Sequence, residues 1–321
     1  MTDTDTVTSA EDAGGYIRVN SSDLAAPSYF EMMVNQHWLL WPRVARSVLE
    51  QMAAVAQRQG SMEAVERYRS ERAADAYNVR VRNGVAIVPV MGMIFPRANL
   101  MTDLSGATSV GALARDFQQM ADRSDIRAVM LEIDSPGGAV TDIDHMAGII
   151  AEVAQTKRVT AYVGGGATSA AYWLATAATD IVVARTAPVG GIGVVQTIAK
   201  QKEPDDTGYM NFEIVSSNAK DKRPDPETAD GRDTVLGLID EIENTFISSV
   251  AENRGVSEEV VREQFGQGGA YAGDMVVRRG MADRIGTFEN VLQELQQIPF
   301  PQQPTGAAAS VAHSQSQQEE V

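Results

Sequence analysis

Two apolar runs in this chain each break into a glycine-rich turn at the same kind of boundary, strand before and helix after. The first reads Leu131-Glu132-Ile133-Asp134-Ser135-Pro136-Gly137-Gly138, and the second Gly164-Gly165-Gly166-Ala167-Thr168-Ser169-Ala170-Ala171-Tyr172-Trp173. Such elbows belong to an α/β architecture, where consecutive strands lie parallel and helices cross over between them. They also carry chemistry. A serine at a strand-to-helix elbow exposes its hydroxyl, and neighbouring backbone N–H groups can hold an oxyanion. Ser169 stands at that position in the second segment, and Lys220 follows it further along the chain.

The pattern around these turns predicts the rest of the core. Strands are expected at Val85–Val90, Ile126–Ile133, Arg158–Val163 and Asp180–Ala184, with a loop at 91–94. Helices are expected at 109–122, 140–156, 169–178, 227–254, 257–265, 273–281 and 288–297, with Ser257 as an N-cap. A short strand is expected at Phe212–Val215, just before Lys220, and a turn at Gln267–Tyr271. The fold class is therefore α/β with a largely parallel sheet and flanking helices. Four regions follow along the chain. Residues 1–25 are polar and predict disorder, 26–76 predict a helical N-terminal region, 77–298 the main domain, and 299–321 a disordered Gln/Ser-rich tail.

Composition removes several classes of function. The chain has 321 residues and a formal net charge of −16, which argues against nonspecific nucleic-acid binding and against a polybasic membrane surface. It has no cysteine, so disulfides and cysteine-based nucleophiles or metal sites are excluded. No apolar run approaches the about 20 residues that span a bilayer, and the acidic start is no secretory signal, so a cytoplasmic location without a membrane anchor is expected. No metal or organic cofactor is implied.

A serine nucleophile needs a base. The three histidines, His37, His145 and His313, are poorly placed: only His313 follows Ser169, and it lies in the tail. Arginine stays protonated and cannot serve. A lysine can serve once burial lowers its pKa. Lys220 and Lys222 both lie in Ser216-Ser217-Asn218-Ala219-Lys220-Asp221-Lys222-Arg223-Pro224, and spacing does not choose between them. Ser135 competes with Ser169, but a serine before proline is more naturally a turn residue. Gly137 and Gly138 let the backbone approach a substrate and aim N–H groups at an oxyanion. Gly190-Gly191-Ile192-Gly193 lacks the spacing of a phosphate loop or a dinucleotide fold.

Taken together, residues 83–295 resemble the signal peptide peptidase A (SppA) family of serine peptidases, whose fold is similar to the ClpP/crotonase superfamily. The matching pieces are Ser135–Gly138, the segment Thr168-Ser169-Ala170-Ala171-Tyr172-Trp173, the turn Gly190–Gly193, the pair Lys220-Asp221, and Tyr271-Ala272-Gly273 through Gly280-Met281-Ala282-Asp283. The resemblance implies a Ser169–Lys220 dyad and selects Lys220 over Lys222. It implies an oxyanion hole of backbone N–H groups at Gly137, Gly138 and Ala170, and a substrate-cleft turn at Gly190, Gly191, Ile192 and Gly193. Two departures are present: Ala170-Ala171 stand where the family has glycines, and Gly191 where it has serine. The missing anchor and the helical N-terminal region look like the phage branch, the lambda-type head maturation proteases. That branch implies capsid or scaffold proteins as substrates, self-processing, a homo-oligomer, and a place in the host cytoplasm or the prohead interior. Trp38-Leu39-Leu40-Trp41-Pro42 predicts either a docking surface or packing on the domain itself. The rival expectations are a cellular soluble SppA-like peptidase, a crotonase-like acyl-CoA enzyme and a non-catalytic capsid assembly subunit.

Overall fold

The computed structural model describes residues 79–98, 102, 107–198, 203–204, 208, 210, 212 and 214–301, together with the backbone of 38–40. Strands of β-branched and aliphatic residues form first as hydrophobic ribbons: β2 (Arg80–Arg82), β3 (Val85–Phe95), β5 (Ala128–Ala139), β6 (Arg158–Thr168) and β7 (Asp180–Val183). Val85–Val88, Val129–Leu131 and Val159–Val163 are buried on both faces save for scattered positions, which is the mark of a central parallel sheet. The sheet runs in the order β10 (Arg284–Ile285), β7, β6, β5, β3, β2, with the first five parallel to one another and β2 antiparallel to β3. The expected α/β class with a largely parallel sheet is borne out.

Short strands complete the sheet: β1 (Trp38–Leu40), β4 (Thr108–Ser109), β8 (Val189–Gly190), β9 (Ala270–Tyr271) and β10 (Arg284–Ile285). The helices are α1 (Val110–Ala121), α2 (Ile143–Thr156), α3 (Ala170–Thr176), α4 (Ala229–Arg254), α5 (Glu258–Gln264), α6 (Asp274–Arg278) and α7 (Phe288–Leu295). One core lies between the sheet and α1, α2, α3 and α4. A second, smaller core packs Val291, Leu292 and Leu295 of α7 on Val85, Ile87, Met130 and Val182 of the opposite face. N-caps begin three of the helices, and the one expected from the sequence, Ser257, is among them. The Ser257 side chain accepts the Val260 N–H, and Thr228 and Thr287 cap α4 and α7 in the same way.

Three expectations are corrected. The loop expected at 91–94 is strand, because β3 continues to Phe95 by pairing with β4 and with the end of β5. The strand expected at Phe212–Val215 is absent: Phe212, Ile214 and Val215 are irregular, with Phe212 81% and Ile214 96% exposed. Alternating apolar residues make a strand only when a neighbouring edge pairs with them. The helix expected over 29–76 lies outside the described residues except at 38–40, where the chain is strand β1, paired antiparallel with 137–139 of β5. A free sheet edge overrides local helical periodicity there. Lys220 sits in a single 3-10 turn, Lys220–Lys222. At the other end, Phe300 is packed: the Arg127 guanidinium lies 3.6 Å over its ring.

Candidate active site

Parallel sheets place their functional groups at the carboxyl ends of the strands, and both glycine-rich turns lie there. β5 does not stop at Ile133. It runs through Ser135-Pro136-Gly137-Gly138 because β3 pairs with Gly137 and Gly138 along one edge. The approach is so close that a Cβ at Gly138 would lie 2.0 Å from the Ile94 carbonyl oxygen. β6 likewise runs through its glycines, and a Cβ at Gly165 would lie 2.0 Å from the Asp134 carboxylate. Glycine is needed at these two positions for backbone to meet backbone and side chain.

Ser169 joins β6 to α3 in a strained conformation, φ 59° and ψ −122°. A non-glycine residue there costs on the order of 1–3 kcal/mol and is held only by its surroundings. The Ser169 N–H donates to Gly190 O at 2.7 Å, Trp173 N–H donates to Ser169 O at 3.0 Å, and Thr168 Oγ1 donates to Pro136 O at 3.0 Å. Below the elbow, Trp173 stacks on Phe246 of α4 at 4.6 Å and donates its indole N–H to Ser249. Tyr172 donates to Met281 O, and burial pushes its phenol well up, so it stays a neutral donor. Ser169 is 2% exposed, and its Oγ has no hydrogen-bond partner among the described residues. A hydroxyl that is buried and unsatisfied is costly, and here it stands at the tip of a strained elbow.

The substrate-cleft turn is brought to the same place. Thr168 pairs with Gly190, Gly191 N–H donates to Gly269 O at 2.8 Å, and Ile192 is buried. A Cβ at Gly191, which has φ +66°, would lie 3.3 Å from the Ser169 nitrogen. The glycine at 191 therefore leaves room beside the elbow. Gly193 borders α4, where a Cβ would lie 3.4 Å from a Glu243 carboxylate oxygen. Burial raises the Glu243 carboxyl above its usual range, with the neighbouring Asp240 adding to the rise and Arg262 opposing it.

The three expected oxyanion donors differ. Ala170 heads α3, and the first N–H groups of a helix find no partner within it. Gly138 lies in β5 at the mouth of the elbow. Gly137 N–H is already engaged, donating to Ser135 Oγ at 3.2 Å. Ser135 in turn donates to Gly92 O at 2.6 Å, so its hydroxyl proton is engaged within the turn.

Lys220 is not brought to Ser169 by hydrogen bonding. Its ammonium lies 3.6 Å from Asp221 and 3.7 Å from Asp230, with the side chain 74% exposed. Asp230 is in the first turn of α4, about 24 Å along the helix axis from Phe246, which packs against the elbow. The buried lysine is instead Lys157, whose Nζ donates to Arg123 O at 2.7 Å and Ile126 O at 3.1 Å. Burial pushes its ammonium below the usual value, but the whole length of β6 separates it from Ser169. It clamps the entry to β5. His145 is exposed on α2.

The sequence singles out Asp283 only as the end of the Gly280–Asp283 piece, and Arg254 not at all. Arg254 donates to both carboxylate oxygens of Asp283, at 3.1 and 2.9 Å, and Asp283 Oδ2 also accepts the Ile181 N–H. Burial alone would raise the Asp283 carboxyl, but these donors hold it below its usual range. The terminal Gly280–Asp283 piece of the motif is thus a brace between α4 and β7. A lone arginine in a long helix gives no signal of that role.

The chain is similar to proteins of known name. The model of peptidase family S49 matches residues 151–298, which include Ser169, the turn at 190–193 and Lys220. The chain is 30% identical over 217 residues to the capsid assembly protease C of Escherichia phage lambda, covering 65% of this chain and 48% of that protein. It is 30% identical over 213 residues to the head-tail preconnector protein GP5 of Enterobacteria phage P21, covering 64% and 41%. Protease 4 of Haemophilus influenzae is 24% identical over 240 residues, 71% of this chain and 37% of that protein. The chain spans about half the length of the phage relatives it matches. Among the described residues, no helix is long and apolar enough to cross a membrane, and no His/Cys/Asp/Glu group is placed to hold a metal ion.

Proposed function

We propose that the chain is a serine endopeptidase of the phage head, with Ser169 as nucleophile and Lys220 as base. The observation that carries this is Ser169 itself: strained, buried, its hydroxyl unpartnered, and seated among glycine turns. Ser169 Oγ attacks the scissile carbonyl carbon while the neutral lysine amine takes its proton. The oxyanion is held by the N–H groups of Ala170 and Gly138, and Gly137 joins them if its bond to Ser135 opens. The lysine then protonates the leaving amine, and water hydrolyses the acyl-enzyme with the lysine again as base. The relatives' names, a capsid assembly protease and a preconnector, favour capsid or scaffold proteins as substrates and a place in the host cytoplasm or prohead.

Because Lys220 is tethered to Asp221 and Asp230, the dyad closes only when its segment moves or a second copy supplies the lysine. Phe212, Ile214, Leu236 and Leu238 are exposed in the segments flanking Lys220, a surface that supports a homo-oligomer. The unassembled dyad and the preconnector name also favour a second reading, an assembly subunit without catalysis.

A fluorophosphonate serine probe tests the main reading. It labels Ser169 in the wild-type chain and nothing in Ser169→Ala, and peptide cleavage disappears with the label. Labelling at Ser135, or prohead assembly that proceeds unchanged in Ser169→Ala, overturns it.

A further inference from the structure

The edge of β5 beside Ser169 is taken by the chain's own N-terminal segment. In the β5–β6 ladder Ser135 pairs with Ala167. Two more residues of the same ladder would set Gly137 opposite Ser169. The ladder ends at that pair, while on its opposite edge β6 pairs Ala167 and Thr168 with Val189 and Gly190 of β8. Beyond Ser135 a place beside Gly137–Ala139 is therefore left to another strand. Into it runs β1, antiparallel, with Leu40 opposite Gly137, Leu39 opposite Gly138 and Trp38 opposite Ala139. β3 holds the other edge of the same glycines, with Met93 opposite Gly137 and Ile94 opposite Gly138, so β1 covers the only edge of that stretch left open.

We propose that this edge is a peptide-binding site and that residues 38–40 are its resident occupant, competing with any substrate that must lie beside Ser169. The inference rests on the peptidase reading for its consequence but not for the occupancy. An extended chain adding to a free sheet edge binds through main-chain hydrogen bonds, which any sequence can supply. A substrate reaching Ser169 needs the same edge, since a peptide laid anywhere else along β5 meets β3 or β6. The segment is covalently attached, so its effective concentration is set by its linkage and not by dilution. Free substrate must therefore displace a competitor that is always present, and the chain alone is held in a slow state.

The test uses the full chain. Successive N–H groups of a strand point to opposite edges, so Leu39→Pro/Leu40→Pro removes whichever of them donates to β5. Leu39→Val/Leu40→Val keeps both and serves as control. Occupancy is read by hydrogen exchange of the amides of 137–139 in a Ser169→Ala background, and its consequence by the rate of fluorophosphonate labelling in the Ser169 chain. The double proline variant is expected to exchange faster at 137–139 and to label tenfold faster or more, with the valine control like wild type. Exchange unchanged by the prolines overturns the occupancy, whatever the catalysis does. Faster exchange with equal labelling of both chains overturns the competition. Faster exchange with no labelling in any chain leaves the occupancy standing and sinks the peptidase reading instead.

Discussion

The Ser169 elbow and the Lys220 turn are the two halves of one expected dyad, and they are built in opposite ways. Ser169 is held by backbone hydrogen bonds to two elements, β8 and α3, buried, and forced into positive φ. Lys220 is exposed, lies in a turn of three residues, and is tied by two ion pairs to exposed carboxylates. Exposed pairs of that kind contribute little. On the proposed reading the nucleophile is prepared by folding, whereas the base is left to be recruited. A protease that is synthesised among its own substrates gains from that division, because folding alone does not complete the site.

The largest expected effect comes from relieving the strain. Ser169→Gly keeps the elbow's backbone and removes the hydroxyl, so peptide cleavage falls at least about a thousandfold, while thermal or urea unfolding reports a gain of about 1–2 kcal/mol. Loss of stability instead would mean that the elbow is not strained, and the contrast with Lys220 would dissolve. Lys220→Arg comes next, with cleavage reduced about a hundredfold or more and stability unchanged, since arginine cannot deprotonate and the side chain is solvated. Mixing inactive Ser169→Ala with inactive Lys220→Arg sharpens the point: regained cleavage means that the lysine is supplied by a second copy, and none means that its own segment must move. Full activity of Lys220→Arg breaks the assignment.

The smallest effect concerns pH. The Asp283 carboxyl is held below its ordinary value in the folded chain, so its pairing stabilises the fold above the ordinary carboxylate range. That contribution is lost as pH falls through the depressed folded value. Asp283→Asn should flatten the acid limb of a stability–pH curve measured by urea unfolding, and Lys220→Ala should leave that limb as it is. Equal flattening in both would erase the difference between a braced ion pair and an exposed one.

Much of the sheet was legible because β-branched runs such as Val85–Val90 and Arg158–Val163 announce themselves by content alone. The ends of those strands were not. Residues 91–95, 134–139 and 164–168 look like loop in isolation and are strand because each has a neighbour to pair with. Phe212–Val215 errs the other way, having the content and no partner. Ser169, Gly138 and Gly191 could be read from local chemistry, since a serine at an elbow and glycines at close approaches are local facts. The setting of Lys220 could not, because its neighbours are fixed by where α4 begins. Strand β1 was equally hidden, as an edge left where the β5–β6 ladder ends is a property of the sheet and not of residues 38–40.

Helix α4 has a mechanical meaning that its packing alone does not convey. Its first turn carries Asp230, the carboxylate paired with the proposed base, and its last third carries Phe246 and Ser249, which hold Trp173 of the helix behind Ser169. The far end is pinned by Arg254 to Asp283. A 26-residue helix of this kind is a beam of about 39 Å, anchored at one end and free at the other. Any partner that pushes on the free end works against a long arm, so a modest force there is felt as torque at Trp173. The exposed end of the helix is thus a lever whose fulcrum lies behind the proposed nucleophile.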